Sequence, residues 1–157
     1  MISLRLLLIG GFVVLFQTTV MKLFEFYQIG PDLCLIFIVW AALKHGPIAG
    51  LYSGFLIGGL FDVYSYVDFL GVGMLVKSVL GYSIGLADDH VIQLEWTTKV
   101  MILFIAFFVH DIVYNFMIGL SSDAFSQSLL SSTLPAALYT VFIASIVFNL
   151  SNKKSYE

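Results

Sequence analysis

The amino-acid sequence predicts an all-α integral membrane protein, a six-helix transmembrane bundle in one domain, and three observations predict it. Only 11% of its 157 residues are charged while 60% are hydrophobic, against about 25% charged in an ordinary soluble domain. Mean hydropathy is +1.00, so the surface itself must be apolar and its solvent is lipid. The apolar stretches are hydrophobic on every side, as lipid-embedded helices are, and short polar segments cut them into pieces near the length of ~20 residues that a span requires. Six such spans use nearly all of the chain.

The first span runs from about Leu4 to Met21. Arg5 followed by an apolar run imitates a signal peptide, but the run continues to Val20 and only Gln17-Thr18-Thr19 stands where a small-x-small cleavage site would be. It therefore reads as a retained span. A polar loop with Lys22, Glu25 and Gln28 leads to Gly30-Pro31-Asp32. Pro31 suits the first turn of a helix, and Asp32 favours its positive N-terminal end. The second segment, 32–43, measures only ~18 Å and is too short to cross ~30 Å of hydrocarbon squarely. Lys44-His45-Gly46-Pro47 then makes a turn with another helix-starting proline.

The third span covers 47–63, and the loop from Asp62 to Asp68 holds two acids and two tyrosines. The fourth covers 69–86, followed by the most polar internal segment, with Asp88, Asp89, His90, Gln93 and Glu95. The fifth covers 97–120 and the sixth 129–150, with Lys153-Lys154 in the tail. With the N-terminus inside, Arg5, Lys44, Lys99, Lys153 and Lys154 all fall on the cytoplasmic side and Lys22 alone outside, as the positive-inside rule requires. Fusing the second and third segments would move the tail lysines outside. Trp40 and Trp96 fall near inner span ends, where indole rings favour the interface.

Seven Lys and Arg against ten Asp and Glu form no basic cluster, which excludes a nucleic-acid surface. Cys34 is the single cysteine and packs as a small hydrophobe. His45, His90 and His110 lack metal-ligand spacing and lie at different depths, so no metal is expected. No phosphate loop, nucleophile elbow or metalloprotease helix appears, so neither an enzyme nor a cofactor is expected.

Gly46, Gly50, Gly54 and Gly58 recur every four residues, with Asp62 one turn further, and Gly73, Lys77, Gly81 and Gly85 repeat the scheme in the next span. Such spacing lines small residues along one face and lets backbones approach. The ridges serve either packing of spans three and four on each other or docking of a partner helix. Lys77 is the sole basic residue well inside a span, where a charge is paired, snorkelled or functional. At 1.5 Å per residue it lies ~12 Å below the outer end of its span, and Asp111 lies ~13.5 Å down the next. Matching depths predict a Lys77–Asp111 pair, with Asn115 and His110 completing its hydrogen bonds.

Gly30-Pro31-Asp32-Leu33, Lys44-His45-Gly46-Pro47, the ridge ending in Phe61-Asp62, Leu70-Gly71 and Leu80-Gly81-Tyr82-Ser83-Ile84-Gly85 together resemble the MreD family of bacterial rod shape-determining membrane proteins, over residues 30–86. The positions that carry the resemblance are Asp32, the four ridge glycines, Asp62, Gly71, Gly81 and Gly85; Pro31 belongs to the same motif. The resemblance implies a bundle similar to the substrate-binding subunits of energy-coupling-factor vitamin transporters. It also implies a non-enzymatic scaffold in the bacterial inner membrane, partnered by the single-span protein MreC. Through MreC it would reach MreB filaments, RodA and RodA's transpeptidase, with contacts to membrane lipids and self-association left open. The rival class is a vitamin-binding transporter subunit. Against it, the first span offers Leu6, Gly10 and Val14 where such subunits carry an alanine ridge, and the outer loops are short.

Overall fold

Helices break where the sequence is punctuated by polar residues, glycine and proline. In the computed structural model, which describes residues 4–19, 30–64, 70–87, 95–119, 127 and 129–153, α1 spans Leu4–Thr19, α2 Leu33–His45, α3 Pro47–Tyr64, α4 Val72–Gly85, α5 Trp96–Met117 and α6 Leu134–Lys153. A π-helical turn, Leu129–Thr133, leads into α6. The loop residues Lys22, Asp68, Asp88, Asp89 and His90, and the tail residue Lys154, lie outside the described residues. Among the described residues, three stretches, Pro47–Tyr64, Trp96–Met117 and Ser131–Asn149, are long and apolar enough to cross a membrane on their own.

α2 is the centre of the bundle. Its 13 residues rise only ~20 Å, yet nine of them are buried, Cys34 to Val39 and Ala41 to Leu43. It packs against all five other helices. One face, Leu35, Ile36, Val39 and Leu43, meets Leu103, Ala106 and Phe107 of α5 and Ala137, Ala144 and Phe148 of α6. The opposite face, Cys34, Phe37, Ile38 and Ala41, meets Leu6 and Val14 of α1 and Ile57 of α3. A helix wrapped in protein is released from the requirement to reach both lipid interfaces, because its free backbone groups find protein partners.

Those partners are visible at its N-terminus. The Asp32 side chain accepts from Leu35 N at 2.8 Å, the expected role of an N-cap carboxylate. Gln17 of α1 donates to Pro31 O at 2.7 Å and accepts from Leu33 N at 2.9 Å. Asp32 N donates to Thr140 Oγ1 of α6 at 3.1 Å. At the other end Gly46 has φ 83°, ψ −176°, a region essentially reserved for glycine, and Pro47 begins α3 at the next residue. Gly46 is thus the turn itself and stands ahead of the α3 ridge instead of opening it.

α4 begins at Val72, three residues after the expected start, because the chain turns at Gly71. Gly71 takes φ 96° as its N-cap and has no side chain to cap with, so the cap comes from α3. Asp62 Oδ2 accepts from Gly71 N at 3.0 Å and Met74 N at 3.1 Å, its charge lying at the positive end of the helix. Asp62→Ala strips both bonds and leaves two part-buried amides without their acceptor, a loss of about 1 kcal/mol or somewhat more. Asp62→Asn, which keeps an acceptor, loses less. Unfolding in mixed detergent and denaturant orders the three proteins: native, then Asn, then Ala.

Candidate functional site

Two features meet inside the bundle, a glycine seam and a polar layer. The seam joins α3 to α4. A Cβ on Gly50 would fall 2.6 Å from the Gly81 carbonyl carbon, on Gly54 2.7 Å from Ser78 Cα, and on Gly58 2.7 Å from Met74 Cα. From the other side, a Cβ on Gly81 would come within 2.7 Å of the Gly50 carbonyl carbon, and on Gly85 within 2.6 Å of Pro47 N. Gly73 faces the Asp62 carboxylate. Backbone lies against backbone along the whole seam, so these glycines face each other and present no ridge to an outside helix. Side-chain hydroxyls in the hairpin turn inward on their own helices, Ser53 to Ala49 O at 2.7 Å and Ser78 to Met74 O at 2.5 Å.

The polar layer surrounds the N-terminus of α2. Lys77, 2% exposed, places its Nζ 3.6 Å from Asp32 Oδ2 and 4.6 Å from the centroid of the Phe61 ring. The partner of Lys77 is therefore Asp32, and the expected Lys77–Asp111 pair is replaced. The depth comparison assumed that every span ends at the membrane surface. α2 falls ~10 Å short of ~30 Å, so its N-terminal carboxylate is set back to the depth of Lys77. Asp32 has two tasks there: it caps α2 and offsets the repulsion between the positive helix end and the ammonium.

Asp111 belongs to a separate group. Its Oδ2 accepts from Thr133 Oγ1 at 2.5 Å and from Asn115 Nδ2 at 3.1 Å, and Asn115 also donates to Asp111 O at 2.8 Å. Asn115 thus meets Asp111 one turn away, whereas His110 does not join that bonding: its Nε2 is buried without a hydrogen-bond partner, and its ring stacks on Tyr114 at 5.9 Å. The π turn delivers Thr133 to the carboxylate. Gln17, Thr133 and Thr140 are the members the sequence reading missed. The one available signal was their position, polar residues within otherwise apolar spans.

At the opposite end of α2, Lys44 Nζ sits 5.0 Å over the Trp40 ring and His45 meets the same ring edge-on at 5.8 Å. Trp40 and Trp96 both pack against the core cluster shared by α2, α5 and α6. Between α1 and α3 lies a cavity of about 240 Å³ lined by Gly10, Gly11, Ala49, Ser53, Leu56 and Ile57 among others. A Cβ on Gly11 would meet nothing within 4 Å. Among the described residues no group of three or more His, Cys, Asp or Glu is placed to hold a metal ion.

An all-helical bundle with apolar helices of membrane-crossing length, held by a glycine seam and a buried polar layer, defines a multi-span integral membrane protein. Residues 1–153 match the family described as rod shape-determining protein MreD. The chain belongs to the MreD family, and the match extends well beyond the 30–86 stretch in which the motifs are legible. That membership gives it a role in determining rod cell shape. No curated protein and no solved structure matches the chain, so the expected likeness to energy-coupling-factor subunits has no structural match behind it.

Proposed function

We propose that this protein is a non-enzymatic scaffold of the wall-elongation machinery in the bacterial inner membrane, with both termini cytoplasmic. It works by helix–helix contact with an MreC-like single-span protein. Membership of the MreD family is the observation that carries this reading. Through that partner it would connect to MreB filaments, RodA and its transpeptidase. The seam glycines are occupied within the α3–α4 hairpin, so the partner span has to find another small-residue face. The cavity between α1 and α3 is the face that fits, since Gly11 leaves room for close approach and small residues favour contact between helices in lipid.

The test is depletion in the native rod-shaped host combined with co-purification of a tagged copy in mild detergent. Rounded cells and an MreC-like protein in the eluate are expected. Normal rods, with an ATPase module in the eluate or loss of vitamin uptake, would replace this reading with that of a transporter subunit.

A further inference from the structure

We propose, resting on the docking face assigned above, that the α1–α3 cavity takes one large, wholly apolar side chain of phenylalanine size from the partner's span, as a knob enters a hole. The cavity has a closed floor and an open mouth, and two consecutive glycines of α1 mark them. A Cβ on Gly10 would press to 3.0 Å from Ile57 Cδ1, whereas a Cβ on Gly11 would meet nothing within 4 Å. Ala49, Ser53 and Ile57 are buried, while Leu56 and Leu60 on the same wall are 38% and 46% exposed. The floor therefore lies on the Gly10 side, and the mouth opens to the bilayer between Gly11 and the two leucines. Any side chain at position 11 would narrow it.

Size and chemistry name the occupant. A volume of about 240 Å³ is a sphere roughly 8 Å across, less than the ~10–12 Å of a helix with its side chains, so no backbone enters. An apolar cavity of about 150 Å³ already holds a benzene ring, so one ring-sized side chain fits. No lining residue is charged, and the Ser53 hydroxyl hydrogen is spent on Ala49 O at 2.7 Å and Gly50 O at 3.1 Å. Ser53 thus asks nothing of the occupant, and an uncharged, apolar wall is complemented by an uncharged, apolar group. In lipid the gain comes from van der Waals contact. A flexible acyl chain collects that contact at a larger loss of freedom than a ring held by two torsions.

The experiment is reciprocal repacking, read as capture of the MreC-like partner in mild detergent at native membrane abundance of both proteins. Gly11→Leu fills the cavity from within. In the partner's span, each large apolar residue is truncated to alanine in turn, which removes the knob. Gly11→Leu is expected to lose capture of the native partner, and one truncation to lose capture by the native protein. Combined, the two changes regain it, because the added leucine stands where the missing side chain stood. Gly11→Ala repeats the series with a smaller filling and a smaller loss of capture. Loss of capture by Gly11→Leu that no truncation recovers overturns the proposal and leaves the docking face standing. Capture kept in full by Gly11→Leu overturns both, and assigns the cavity to a lipid chain or to a second copy of this chain.

Discussion

Gly54→Leu abolishes accumulation of folded protein. A Cβ at this position already falls 2.7 Å from Ser78 Cα and collides with the Lys77 carbonyl, and backbone does not step aside as a side-chain tip can. The remaining leucine atoms have nowhere to go unless α3 and α4 part. Overpacking ordinarily costs about 1–3 kcal/mol. Here the seam opens along its length, and Asp62 loses its grip on the start of α4, so the loss exceeds that range. Total stability is only about 5–15 kcal/mol. Even Gly54→Ala is expected to reduce the monodisperse fraction in size-exclusion chromatography. Gly11→Ala, with open space around its Cβ, leaves that fraction unchanged.

Lys77→Met has the second largest effect. Removing one partner of a buried ion pair leaves the other charge uncompensated, at about 3–5 kcal/mol. Here that charge is Asp32, at the capped end of the central helix. Lys77→Met with Asp32→Asn restores much of the loss, because asparagine still caps α2 and no charge is stranded. Lys77→Met with Asp111→Asn restores nothing, since Asp111 is held by Thr133 and Asn115. Equal recovery in both double variants would return Asp111 to the role of counter-ion.

The two double variants also mark the limit of what the sequence makes legible. Helix starts were readable because they depend on local chemistry: Pro31-Asp32 before α2, Gly46-Pro47 between α2 and α3. The glycine spacing was readable for the same reason, since a four-residue period defines a face whatever lies opposite. Which helix lies opposite is a tertiary property, and for Gly50, Gly54 and Gly58 it is α4. The Lys77 partner was lost because depth along a span was counted from the membrane surface. A helix shielded by its neighbours obeys no such limit, and nothing local in residues 33–45 reveals that five helices surround it. Thr140 and Gln17 stayed hidden because their bonds go to backbone atoms of another helix. The π turn that brings Thr133 to Asp111 left no mark in the sequence.

The scaffold reading stands or falls on whether a fold-neutral change in the α1–α3 cavity separates partner contact from stability. Gly11→Leu, expressed in cells depleted of the native protein, tests this through three readings on one culture: membrane abundance, capture of the MreC-like partner, and cell shape. The predicted result is native abundance with partner capture lost and cells rounded, because the added side chain fills the cavity while meeting no atom of the bundle at its Cβ. Rod-shaped cells that keep the partner at native abundance would contradict the account.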